Sequence, residues 1–137
     1  MKNEKVENNV KSKKIINKAY SMLEKNQYNK IILFLNRHKG YFNNSKVQSL
    51  LADCYAGLKD YKKAIRRYEK AIKLNNYKPE IFLHLDYIGL AGCYNSMGDL
   101  KKTKEVLEKG LKVCKEKEFL SGVLKIINKQ LKKEGKT

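Results

Sequence analysis

The sequence predicts an all-α protein built from stacked helical hairpins. The spacing Tyr55-x8-Ala64-x3-Tyr68-x2-Ala71 returns thirty-nine residues later from Tyr94, with Thr, Leu and Gly at the matching positions. Internal repetition at a period of this size is typical of stacked helix pairs. The 137 residues include one proline and eight glycines, which leaves few interruptions to helices. Alternating apolar and polar runs, which would indicate strands, do not occur.

Apolar residues at helical spacing divide the chain into seven predicted helices. They lie at about 12–25, 28–39, 45–58, 60–75, 79–96, 99–117 and 118–134. Residues 1–11 lack this periodicity, so we expect a flexible basic tail there. The helices form one repeat domain over 12–134, with repeats at about 12–44, 45–83 and 84–117 and a capping helix at 118–134. In the capping helix Phe119, Val123, Leu124, Ile127 and Leu131 are expected on the buried face.

Helix boundaries are marked by residues with known preferences for helix ends. Asp60 and Asp99 are predicted to cap the fourth and sixth helices, with Gln27 at the matching place in the first hairpin. Pro79 suits the first position of the fifth helix, because its missing N–H would be unbonded there anyway. The remaining signals are Asn44 or Ser45 before the third helix, Gly40 at the end of the second, and Gly98 with a positive φ before the sixth.

Nothing in the sequence indicates a catalytic, metal or cofactor site. The chain has two histidines and lacks the metalloprotease, phosphate-loop and nucleophile-elbow motifs. Its cysteines, Cys54, Cys93 and Cys114, are odd in number and form no C-x-x-C pair, which argues against disulfides and zinc. We expect free thiols in a reducing cytoplasm. The least charged stretch, from Ile81 to Met97, contains too many polar residues for a membrane span.

The net charge of +17 has two interpretations. A surface this basic attracts nucleic acid, anionic membranes or acidic proteins. However, 28 of the 31 basic residues are lysine and three are arginine, and asparagine, isoleucine and tyrosine are also abundant. These residues share A/T-rich codons, so genome composition is an alternative source of the charge. Phosphate and base recognition relies more heavily on arginine.

Paired helices with small and aromatic residues at these offsets resemble tetratricopeptide repeats. The middle repeat carries the resemblance most fully, through Leu51, Ala52, Tyr55, Ala64, Tyr68, Ala71 and Leu74. The third repeat supplies Tyr87, Leu90, Ala91, Tyr94, Thr103, Leu107, Gly110 and Val113, and the first supplies Ile15, Ala19, Met22, Ile31, Leu35 and Tyr41. The middle repeat departs from the family pattern at Gln48, where a bulky residue is usual, and at Asn76, where proline is usual.

The resemblance implies a right-handed superhelix of about three antiparallel hairpins whose first helices line a concave groove. The groove residues that it implies are Lys13, Ile16, Tyr20, Lys46, Ser49, Asp53, Leu85, Ile88, Gly92 and Asn95. Some family members clamp the carboxyl terminus of heat-shock chaperones with Lys and Asn in the first repeat. Ile16 and Tyr20 stand at those positions here, which argues against such a clamp. Gly89 and Gly92 are interpreted as close-packing positions within a helix.

The third repeat starts five residues later than the thirty-four-residue family period. A fifth helix beginning at Pro79 would therefore have about eighteen residues and project beyond the stack. Ile81, Phe82 and Leu85 lie on or near this projection. They either cover an exposed edge of the neighbouring helix or form an apolar contact for a partner.

We therefore expect a cytoplasmic, non-catalytic adaptor or scaffold that binds a protein, peptide or helix, which could be acidic, in the groove. The alternative is a nucleic-acid- or ribosome-associated protein that uses its basic convex face. That face comprises Lys62, Lys63, Arg66, Arg67, Lys70 and Lys73, and a solvated surface is its simplest interpretation. Self-association through the first hairpin is a third alternative.

Overall fold

The computed structural model describes residues 2–75 and 82–135, and all regular structure in these two stretches is helical. The α-helices are α1 (Lys2–Glu24), α2 (Tyr28–Asn36), α3 (Ser45–Gly57), α4 (Tyr61–Leu74), α5 (Leu83–Ser96), α6 (Leu100–Val113) and α7 (Glu118–Lys133). A 3₁₀ turn, Lys39–Tyr41, follows α2. The predicted all-α stack of three hairpins and a final helix is confirmed.

Each helix packs against the next one along the chain, as expected for a stack of hairpins. In addition, α1 contacts α3, and α3 contacts α5, so the first helices of successive hairpins lie side by side. The surface formed by α1, α3, α5 and α7 is called the odd-helix face below. The second helices, α2, α4 and α6, carry the opposite surface.

Two apolar clusters form the core. The first joins α1, α2 and α3 around Ile31, Leu35 and Leu51, and the second joins α3 to α7 around Leu107 and Leu120. Tyr55 packs against both clusters. The core is therefore continuous along the stack, because no hairpin could bury its apolar face alone.

The predicted repeat register is visible in side-chain positions. Cys54 and Cys93 occupy matching places in α3 and α5 and are 0% and 2% exposed. Tyr55 and Tyr94 follow them, and both are half-buried against the second core cluster. The Nζ atom of Lys63 lies 5.6 Å from the ring centroid of Tyr55, and the corresponding Lys102 lowers the pKa of Tyr94 against a larger effect of burial, which raises it. Both tyrosines therefore lie near the lysine eight residues later, although Tyr55 also packs against the first core cluster and Tyr94 also interacts with Glu69.

The predicted helix caps are confirmed at three starts. The side chain of Asn44 accepts a hydrogen bond from the Lys46 amide at 2.8 Å. Asp60 and Asp99 accept bonds from amides three residues later, at 3.3 Å and 3.0 Å. Each capping oxygen pairs an amide that would otherwise lack a partner at the helix start. Gln27 makes no such side-chain bond.

Several predicted boundaries differ from the observed ones. The first helix begins at Lys2 rather than at residue 12, while the flexibility of residues 1–11 stays a prediction. The second helix ends at Asn36, before Gly40, because the chain turns through the 3₁₀ segment. After this turn, the Gln48 side chain donates a hydrogen bond to the Phe42 carbonyl at 2.7 Å. The sixth ends at Val113, since Cys114 adopts an extended conformation. Pro79 and Ile81, on which the long fifth helix depended, lie outside the described residues.

The buried face of α7 also differs from the prediction. Leu120, Ile127 and Leu131 are buried, and Val123 and Leu124 are partly buried. Phe119 is 61% exposed, so its predicted burial is wrong. The helix rests on the stack through the stripe that contains Leu120, which leaves the neighbouring Phe119 side chain outside the core.

Candidate functional site

The centre of the odd-helix face joins polar residues from four helices. The Ser49 hydroxyl of α3 donates a hydrogen bond to Asp86 of α5 at 2.6 Å. The Tyr68 hydroxyl of α4 donates to the carboxylate of Asp53 on α3. Burial raises the pKa of Tyr20 on α1, and the nearby carboxylates of Asp53 and Asp86 add to this shift. The stack therefore brings the predicted groove residues Tyr20, Ser49 and Asp53 together.

Burial disfavours the charged form of Asp53 and raises the pKa of its carboxyl group, although the hydrogen bond from Tyr68 opposes that shift. Asp86 is fully buried. It lay outside the groove residues expected from the sequence. In the sequence, Asp86 cannot be told from a polar residue on a helix surface, because no local pattern marks it as buried.

The remaining predicted groove residues occupy different environments. Lys13, Leu85, Gly92 and Asn95 are exposed, and Leu85 retains half of its accessible surface. Lys46 and Ile88 are half-buried, and the Lys46 Nζ atom lies 5.4 Å from the Phe82 ring centroid. Ile16 is buried in the first core cluster. It supports the face from below and offers no surface to a partner.

A pocket of about 790 Å³ lies between the start of α5 and the outer side of α7. Its apolar lining includes Phe119, Val123 and Ile126, and Ile126 is 58% exposed. It is also lined by the charged residues Glu116, Glu118 and Lys125. His84 forms part of the wall, and its Nδ1 atom is buried without a hydrogen-bond partner among the described residues. The pocket extends the odd-helix face beyond the three hairpins.

The sequence did contain a signal for this pocket. Phe119 and Ile126 are seven residues apart, with Val123 between them, and this spacing places all three on one helix face. The buried residues Leu120, Ile127 and Leu131, with the partly buried Leu124, form a second stripe at helical spacing. A terminal helix with two apolar stripes has more apolar surface than one neighbour can cover.

The predicted basic face lies on α4. Lys62, Lys63, Arg66, Lys70 and Lys73 are exposed, and Arg67 is half-buried. Basic residues also lie on α6, where Lys102 and Lys104 form ion pairs with Glu105 and Glu108 at 3.5 Å and 3.9 Å. This surface belongs to the second helices of the hairpins, so it is separate from the odd-helix face.

The cysteines lack the properties of reactive thiols. All three are free and buried. Burial raises the pKa of Cys54 to about 12 and that of Cys93 to about 11, and the nearby Asp53 carboxylate adds to both shifts. At neutral pH these groups are thiols, which are poor nucleophiles.

In the part of the chain that the structure describes, no group of three or more histidine, cysteine or acidic side chains is arranged to hold a metal ion. None of the helices in that part of the chain combines the length and the apolar character that crossing a membrane requires.

Comparisons with known proteins agree with the hairpin architecture. Residues 45–78, which span α3 and α4, match the family model for the tetratricopeptide repeat. The chain is also 33% identical, over 85 residues, to a TPR repeat-containing protein of Methanocaldococcus jannaschii. That similarity covers 62% of this chain and 14% of the relative, so the chain matches only a small part of that relative's length. The repeat register, the sequential helix packing and these matches together show hairpins of the tetratricopeptide type, and tetratricopeptide repeats generally mediate protein–protein interaction.

Proposed function

We propose that this protein is a non-catalytic adaptor or scaffold that binds an apolar segment of a partner protein across the odd-helix face. The segment is a peptide or a helix whose apolar side chain enters the pocket between α5 and α7. The observation that carries this proposal is the exposure of Phe119 and Ile126 around that pocket. Large apolar side chains that line a concave surface are characteristic of helix and peptide recognition.

The neighbouring residues support the same mode of binding. Leu85 of α5 is half-exposed, and Gly92 and Asn95 lie further along the same helix without cover. Gly92 has no atom within 4 Å of the position that a Cβ would occupy, so the main chain there is open to a partner. A peptide backbone can therefore approach α5 closely at Gly92.

The polar centre favours partner groups that donate hydrogen bonds. Asp53 is half-buried beside Tyr20, and both lie on the odd-helix face. A carboxylate that already receives one bond from Tyr68 retains further acceptor capacity. Main-chain or side-chain N–H groups of the partner fit this position better than an acidic side chain does. The cytoplasmic location expected from the free thiols is part of this proposal.

The experiment is capture of a partner from native lysate with the full chain as bait, at moderate salt. Phe119→Glu and Ile126→Glu each replace an apolar part of the pocket lining with a charge. Because burying an unpaired charge is strongly unfavourable, each variant is expected to lose the captured protein. Mass spectrometry and quantitative blotting of the bound fraction measure the loss.

Val113→Glu is the matched control. Val113 is 58% exposed, at the end of α6, and does not line the pocket. This variant is expected to retain the partner, and circular dichroism checks that all three variants are folded. Retention of the same protein by both pocket variants would exclude binding through this pocket.

A further inference from the structure

A second pocket, of about 330 Å³, lies on the side of the stack away from the odd-helix face. It is lined by Tyr55, Lys63, Arg66, Arg67 and Lys70. Four of its five residues are cations that α4 presents within two turns, whereas Tyr55 comes from α3. A pocket with this lining concentrates positive charge around a volume that suits one small anionic group.

The structure holds Arg67 in place before any ligand binds. One of its guanidinium N–H groups donates a hydrogen bond to the side-chain oxygen of Gln48 at 3.2 Å. Gln48 is fully buried, and its amide nitrogen donates to the Phe42 carbonyl at 2.7 Å. The guanidinium carbon also lies 5.9 Å from the Phe42 ring centroid. A side chain fixed in this way loses little conformational entropy when it binds an anion.

Lys63 is positioned from two sides as well. Its Nζ atom lies 5.6 Å from the Tyr55 ring centroid and 3.7 Å from a carboxylate oxygen of Asp60. Within residues 2–75 and 82–135, neither Arg66 nor Lys70 is in an ion pair. Much of the pocket's positive charge is therefore available to a ligand.

The charge distribution favours one compact anion over a polyanion. A nucleic acid requires a continuous track of cations, but on α6 the exposed Glu105 and Glu108 pair with lysines. Stacking surfaces for bases are also missing from these two helices, since Tyr61 and Tyr68 of α4 are at least partly buried and α6 has no aromatic residue. A phosphate monoester, with a charge near −2 and three acceptor oxygens, matches a compact group of Arg and Lys donors.

We propose that this pocket between α3 and α4 binds a phosphate monoester carried by a serine or threonine of a partner protein. Arg67 is the fixed donor, and Arg66, Lys63 and Lys70 close around the phosphate oxygens. This site is independent of the odd-helix face, so it can be correct even if the pocket between α5 and α7 binds nothing.

The test uses the folded full chain and a five-residue peptide with one phosphoserine between glycines. Binding is followed by amide and arginine side-chain chemical shifts in nitrogen–proton correlation spectra. The largest shifts are expected at Lys63, Arg66, Arg67 and Lys70, and the unphosphorylated peptide is expected to cause none. Arg66→Ala and Lys70→Ala should each weaken binding by about tenfold, the effect of losing one charge-assisted hydrogen bond.

Lys62→Ala is the matched control. Lys62 is exposed on the same helix but does not line the pocket, so its removal changes the net charge equally and should weaken binding by less than about twofold. The proposal is overturned if Lys62→Ala weakens binding as much as Arg66→Ala. It is also overturned if the shifts spread evenly over the lysines of α4 and α6, or if a uridine decamer binds more tightly at the same residues.

Discussion

Tyr68 links the packing of the stack to the polar centre of the odd-helix face. Its ring is 4% exposed and lies against Gly89 of α5, where an added Cβ would collide with the ring. Its hydroxyl donates a hydrogen bond to the carboxylate of Asp53. The glycine therefore makes room for a large aromatic side chain between α4 and α5. The sequence indicated close packing at both Gly89 and Gly92, and this interpretation is wrong for Gly92, which faces open space.

We expect opposite effects on stability from two glycine substitutions in the same helix. Gly89→Ala should destabilise the fold by about 1–3 kcal/mol, because the Tyr68 ring must move in a packed interior. Gly92→Ala should stabilise it by up to about 1 kcal/mol, since alanine favours the helix and meets nothing. Urea unfolding followed by circular dichroism measures both free energies. Equal effects of the two substitutions would contradict the described packing of Tyr68.

The turns within the three hairpins share one backbone conformation. In each hairpin, the residue before the N-cap of the second helix has a positive φ: 55° at Asn26, 62° at Lys59 and 80° at Gly98. The next residue is Gln27, Asp60 or Asp99, and the two aspartates cap their helices. Gly98 and the aspartates were predictable, because their preferences are local. Lys59 was not, since lysine has no preference for a left-handed conformation, and only its register with Gly98 indicates it.

Lys59→Gly should stabilise the middle hairpin by about 1 kcal/mol, because glycine adopts this conformation without the steric cost that a Cβ imposes. The same replacement in the interior of α4, Lys70→Gly, should destabilise the fold by about 1 kcal/mol. Thermal unfolding midpoints of the two variants report the signs. A loss of stability in Lys59→Gly would show that residue 59 is not left-handed in solution.

At the scale of the whole molecule, the fold was predictable and the candidate site was predictable only in part. Stacked hairpins follow from periodicity and repeat register, which the sequence displays directly. The contact surfaces depend on how α7 rotates on the stack, and packing against α6 decides which of its two apolar stripes is buried. In the polar centre, Ser49 was a predicted groove residue and Asp86 was missed, because the two residues meet across 37 residues of sequence.

The central claim is that the first helices of the hairpins and α7 together form the partner-binding surface. The most direct test places a photo-crosslinking amino acid at single exposed positions of the full chain in native cells. We expect Leu85 and Ile126 to give a crosslinked adduct with one defined protein, and Lys112, which is exposed on α6, to give none with it. An adduct with that protein from Lys112 but not from Leu85 or Ile126 would contradict the account.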